Sequence, residues 1–146
     1  MCTLTRRELN RAVLARQLLL ERGRMPLPEA LERVAGIQAQ YAPSMYIGLW
    51  SRLEGFERAA LTAALEQRSV VQATLMRLTI HLVSRADFWP FALATREARR
   101  ARWLGSRRGD PNADAMDEAA RMLRARIAGG AELQRTEIEA LSRPRR

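Results

Sequence analysis

The sequence predicts a mainly α chain with one small β-hairpin, an α+β arrangement. A winged helix-turn-helix domain is followed by linker helices and an incomplete second winged helix. Three observations carry that expectation. Four apolar-periodic segments, each bounded by a cap, a proline or a glycine, fill residues 5–67. Two short runs rich in β-branched and large apolar residues, Val70 to Met76 and Thr79 to Val83, follow with only Arg77 and Leu78 between them. Helices followed by a hairpin is the order of a winged helix, whose helical part and wing both approach a duplex; other small α+β domains share it. The division drawn is a winged-helix domain over residues 1–104, a linker and connecting helix over 105–130, and the start of a second winged helix over 131–146.

Thr5-Arg6-Arg7-Glu8 fits a capping box, with Thr5 as N-cap and Glu8 at the third helical position. The first helix is expected to run to about Glu21, burying Leu9, Ala12, Val13 and Leu20 with help from Leu18, and to end at Gly23. Pro28 opens a second helix, with Leu31, Val34 and Ala35 inward, that stops at Gly36. Ser44 caps a third, Met45 to about Leu53, carrying Tyr46, Leu49 and Trp50. Gly55 ends it. A fourth runs from Glu57 to Gln67 with Leu61, Ala64 and Leu65 on one side.

The hairpin turn at Arg77-Leu78 lacks the Asn-Gly or glycine that a two-residue loop prefers, so a longer, irregular tip is the alternative. Ser84 and Asp87 start a fifth helix, Arg85 to about Trp103, in which Pro90 either kinks the helix or delays its start. Phe88, Trp89, Phe91 and Leu93 read as packing residues. Residues 105–116 are polar with Gly and Pro, a linker. A sixth helix, Asp117 to Ala128, aligns Ala120, Leu123 and Ile127. After Gly129-Gly130, Arg135-Thr136-Glu137-Ile138 echoes Arg6-Arg7-Glu8-Leu9 as a helix opening.

The chain has 146 residues, 47% of them apolar, with a formal charge of +9, so it can bury a core and still carry a strongly basic surface. All 25 basic residues are arginines. A coding bias explains this blandly; arginine forks matched to phosphate oxygens make a polyanion the functional alternative. Cys2 is the sole cysteine, which excludes an intramolecular disulfide. One Cys and one His exclude a Cys/His zinc cluster. No metal and no cofactor are expected. No signal-peptide core and no membrane-length apolar run occur, so the expectation is a cytoplasmic protein with no membrane partner.

The stretch Gly36-Ile37-Gln38-Ala39-Gln40-Tyr41-Ala42-Pro43 carries the most chemistry. Gly36 is a natural helix stop, and Pro43 biases Ala42 away from the helical region. Ile37 to Ala42 is therefore expected to be non-helical, and in extended chain positions i and i+2 share a face. Gln38 and Gln40 then point into one space. A Gln-x-Gln pair is most often polar surface. As chemistry, amides position water but supply no strong base, which suits a leaving group that is already activated.

From Leu4 to about Trp103 the sequence resembles the N-terminal winged helix of the AlkZ/YcaQ DNA glycosylases. The matching stretches are Val13–Leu20, Gly36-Ile37-Gln38-Ala39-Gln40, Tyr46-Ile47-Gly48-Leu49-Trp50-Ser51-Arg52-Leu53 and Met76-Arg77-Leu78-Thr79-Ile80-His81-Leu82-Val83. The family's catalytic Gln-apolar-Gln motif falls on Gln38 and Gln40, with Asp as the second polar residue in one branch. The resemblance implies excision of N7-alkylguanine, as monoadducts or interstrand crosslinks, from double-stranded DNA in the bacterial nucleoid.

The family's Arg-x-Thr-x-His pattern falls on Arg77, Thr79 and His81, read as DNA contacts, with a structural hydrogen bond the plainer role for His81. Relatives often carry Gly or Pro where this chain has Leu78. Arg96, Arg99 and Arg100 share a helical face and continue to Arg102, Arg107 and Arg108; this face is a DNA backbone contact or simply solvated. Tyr46 and Trp50 read as core, or as aromatics near the glutamines that stack on a base. Asp114, Asp117 and Glu118 read as charges at a helix N-terminus. Family members are longer, so the chain is expected to be truncated. The rival readings are a non-catalytic DNA-binding module or decayed paralogue, and an associating fragment.

Overall fold

A computed structural model of the chain describes residues 3–105 and 113–141. Cys2, Arg107, Arg108, the middle of the expected linker (106–112) and residues 142–146 lie outside the described residues. The chain falls into two compact units, Met1–Arg96 and Glu97–Arg146. The first carries helices α1 (Arg6–Arg16) and α2 (Leu27–Val34), strand β1 (Ile37–Gln38), helices α3 (Ala42–Trp50) and α4 (Arg58–Glu66), strands β2 (Val70–Thr74) and β3 (Ile80–Ser84), and helix α5 (Arg85–Ala94). Helix α6 (Arg96–Leu104) starts at the last residue of that unit, and α7 (Ala113–Ile127) and α8 (Arg135–Leu141) follow. The fold class is the expected one: mostly helical, with a small antiparallel sheet, and winged-helix-like.

The core is aliphatic. Leu27, Ala30, Leu31 and Val34 of α2 meet Met45 and Leu49 of α3, Leu61 and Ala64 of α4, and Val70 and Leu82 of the sheet. Burying such side chains is worth about 1.5–3 kcal/mol each. Ala35, expected inward, is exposed: it takes a left-handed conformation (φ 58°) that caps α2, and Gly36 N–H donates to Leu31 O at 2.8 Å.

Three helix expectations need correction. Helix α1 has its capping box, with Thr5 N–H donating to Glu8 Oε2 at 2.8 Å, which holds the Glu8 carboxyl below its ordinary range. It ends at Arg16, not Glu21, because Leu18 turns left-handed (φ 55°) and Leu19 N–H closes onto Leu14 O. It buries none of its residues; of the stripe and its helper only Leu18 enters the core. Helix α3 starts at Ala42, with Tyr41 as N-cap and Pro43 in its first turn, where a missing N–H costs nothing. Ser44 caps nothing; its hydroxyl donates to Tyr41 O at 2.6 Å. The single helix expected from Arg85 to Trp103 is two, broken at Thr95, whose hydroxyl donates to Phe91 O at 2.9 Å. Trp89 and Leu93 are exposed rather than packed.

The sheet has three strands, not two, in the order β1-β3-β2, all antiparallel. The hairpin tip is the longer alternative. Met76–Leu78 form one 3-10 turn, with Arg77 (φ 51°) and Leu78 (φ 61°) both left-handed. In the second unit α7 begins at Ala113, earlier than expected. Helix α8 repeats the opening of α1: Gln134 N–H donates to Glu137 Oε2 at 2.6 Å, as Thr5 N–H does to Glu8. No helix among the described residues is long and apolar enough to cross a membrane.

Candidate active site

Strand β1 exists because the chain reverses sharply after α2. Gly36 sits at φ +87°, and a Cβ there would meet Leu82 O and Val83 Cγ1, each at 2.9 Å. Only glycine lets the chain pass this close to β3. Ile37 then pairs with Leu82, and Gln38 with His81. Ala39 N–H donates to Ile80 O at 2.7 Å. Ile37 and Ala39 pack toward the core, Ala39 at 2% exposure, while Gln38 and Gln40 are exposed. The two amides thus lie on the outer face of an edge strand, on either side of a buried alanine.

Their environments differ. Gln40 Oε1 accepts the Ile80 backbone N–H at 3.0 Å, the bond a regular ladder would send to the Ala39 carbonyl. An N–H only donates, so the orientation of this amide is fixed: oxygen toward the sheet, NH₂ outward. Gln38 has no hydrogen-bond partner among the described residues and keeps both amide ends for solvent or ligand. Tyr41 follows at 70% exposure, its carbonyl taken by Ser44. The β1 segment Ile37-Gln38-Ala39-Gln40-Tyr41 and the facing run Thr79–Ser84 contain no carboxylate. Amides, hydroxyls and one imidazole are the polar side chains of these two runs, with no strong acid or base among them.

The other residues singled out in the sequence are spread more widely. Arg77 is exposed at the hairpin tip. Thr79 lies just before β3, and its hydroxyl donates to Met76 O at 3.3 Å, which ties the turn. His81 is 5% exposed with Nδ1 2.9 Å from Thr79 O, so its ring is not offered to a phosphate. Arg100 makes a two-pronged pair with Asp117, Nη1 to Oδ1 at 2.8 Å and Nη2 to Oδ2 at 3.2 Å. That pair raises Arg100 and lowers the Asp117 carboxyl from its ordinary range. Arg99 is exposed on the same helix. Trp50 is not core: at 55% exposure it carries the Arg22 guanidinium 4.2 Å from its ring centre. With half-buried Tyr46, and with Ile47, Phe56 and Arg58, it lines an open groove of about 250 Å³. The Ile80 N–H and Tyr41 are site features the sequence reading missed.

A family profile described as DNA glycosylase AlkZ-like matches residues 31–145, taking in the amide pair, the hairpin and the arginine helix. The chain belongs to the AlkZ-like DNA glycosylase family. Among solved structures it is similar to the Streptomyces sahachiroi DNA glycosylase AlkZ, at 22% identity and a TM-score of 0.74 over 87% of this chain. At that identity the likeness is one of fold. The chain spans 34% of the length of that AlkZ chain. No curated protein matches it.

Proposed function

We propose that this AlkZ-like chain carries the hydrolytic centre of a DNA glycosylase that releases N7-alkylated guanine from double-stranded DNA, as monoadducts or from interstrand crosslinks. One observation carries the proposal: two exposed amides on one edge strand, one locked and one free, with no carboxylate on either paired strand.

N7 alkylation makes the base cationic. The C1′–N9 bond breaks with its electron pair going to the base, which leaves neutral and needs no acid. Water oxygen then bonds to C1′, and its proton passes to solvent. The protein must hold that water and favour an oxocarbenium-like sugar. The Gln38 carbonyl, free of other partners, accepts a hydrogen bond from the water and sets a partial negative charge beside the sugar. Gln40, fixed by Ile80, presents its NH₂ outward as a donor to a sugar or phosphate oxygen. Arg77 at the hairpin tip and Arg96 and Arg99 on α6 contact the duplex backbone, and Thr79 shapes the tip.

The test is incubation of the full chain, in excess, with a duplex bearing one N7-methylguanine, followed by detection of the abasic site and the free base. Release by the wild type that is lost in Gln38→Ala supports the proposal. Salt-dependent duplex binding with no release contradicts it, and leaves the chain a DNA-binding module.

A further inference from the structure

His81 is the only histidine of the chain, and it lies directly across from Gln38. The register is informative. Ala39 bonds to Ile80, so Ala39 and Ile80 occupy a hydrogen-bonded position of the ladder and Gln38 and His81 the adjacent non-bonded one. At non-bonded positions facing side chains come closest, with Cβ atoms roughly 4.5–5.5 Å apart, and both lie on one side of the sheet. On the far side of His81 the paired residue is Ala73, too small to compete for the ring.

The tautomer follows from the one hydrogen bond the ring makes. Nδ1 lies 2.9 Å from Thr79 O, and a carbonyl only accepts, so Nδ1 carries the proton. In the neutral ring Nε2 is then a lone-pair acceptor. Nε2 has no partner among the described residues. It is not sealed either, since Arg52 Nε is the one enclosed and unpartnered side-chain polar atom among them.

We infer that His81 is a positioning residue for Gln38: in the complex with DNA the Gln38 amide, unpartnered here, turns its NH₂ to His81 Nε2 and so presents its carbonyl oxygen outward. The inference rests on the glycosylase function proposed above. A free glutamine amide flips between two nearly isosteric orientations. One presents an oxygen that accepts from the attacking water; the other presents an NH₂ that competes with it for the same lone pairs. A neighbour that only accepts selects the productive orientation. The two glutamines are then held by opposite means, Gln40 by a donor at its oxygen and Gln38 by an acceptor at its nitrogen.

Two substitutions separate this role from a merely structural one. His81→Asn keeps a donor for Thr79 O but places nothing at the Nε2 position. His81→Gln reaches that position with an amide oxygen. His81→Asn is expected to lower the single-turnover excision rate on the order of 100-fold, the scale for a misplaced reacting group, with half-saturation by DNA unchanged. His81→Gln is expected to restore most of the rate. In amide NMR spectra of the complex with duplex DNA, the Gln38 side-chain NH₂ signals move in His81→Asn while those of Gln40 stay. A His81→Asn protein that excises at the wild-type rate, or leaves the Gln38 signals in place, overturns the inference. A wild type that excises nothing overturns the proposed function instead, and the Gln38 signals still decide whether His81 holds that amide.

Discussion

The Gln40 side chain, not the main chain of β1, receives the Ile80 backbone N–H, at 3.0 Å. A residue of the proposed catalytic pair therefore also completes the pairing of the β3 edge at Ile80. Gln40→Ala leaves that N–H to water and is expected to cost about 0.5–1.5 kcal/mol, the net worth of one such bond. Gln40→Glu keeps an acceptor there and is expected to stay near wild-type stability. Gln38→Ala, which breaks no bond among the described residues, is expected to leave stability unchanged. Urea denaturation of the three variants measures the differences.

Gly36 and Ala35 make a matched pair of backbone tests. Gly36→Ala places a methyl 2.9 Å from Leu82 O and Val83 Cγ1 at φ +87°. It is expected to destabilise by about 2–4 kcal/mol through strain and overpacking. Ala35→Gly, at an exposed left-handed position, is expected to stabilise by about 1 kcal/mol. Thermal unfolding of both reads the opposite signs.

How far the site was legible follows from these residues. Gly36 and Pro43 marked the segment as non-helical, and period-two alternation put Gln38 and Gln40 on one face; both are local rules. The pairing of β1 with β3 was not legible. A two-residue strand has no alternation to recognise, and its register is set by a partner distant in sequence. The roles of Ile80 N–H and of His81 opposite Gln38 went unseen for the same reason. Helix α1 shows a related limit, since the apolar stripe of Leu9 and Val13 is periodic although α1 buries none of its residues. Pro43 does not keep Ala42 out of the helix as expected: Ala42 opens α3 and Pro43 stands in its first turn, where proline is tolerated.

The arginines separate by what already holds them. The fork of Arg100 is engaged by Asp117, whereas Arg77 and Arg99 are exposed. Replacing Arg77 or Arg99 by Ala is expected to weaken duplex binding uniformly across sequences and to reduce the salt slope by roughly 0.9 for each phosphate no longer neutralised. Arg100→Ala is expected to change the slope less. Fluorescence anisotropy across a salt series distinguishes them.

The Arg100–Asp117 pair also sets a pH dependence. The Arg100 hydrogen bond lowers the Asp117 carboxyl in the folded chain relative to its unfolded value. A lowered carboxyl contributes stability that is fully present above the unfolded value, about 3.9, and is lost as pH falls through the folded one. The protection factors of amides in the first turns of α7, corrected for the intrinsic slowing of exchange in acid, are therefore expected to fall on acidification below about pH 4. Asp117→Asn is expected to remove that acid dependence. An equal acid response in wild type and variant would show that the pair does not contribute.

Single-turnover release of N7-methylguanine from duplex DNA by wild type and by Gln38→Ala, with folding of both checked by circular dichroism, tests whether the Gln38 amide holds the attacking water. The free amide on β1 as the holder of water predicts release by the wild type and a loss of about 100-fold or more in the variant, at unchanged DNA binding and fold. Equal release by both proteins would contradict it.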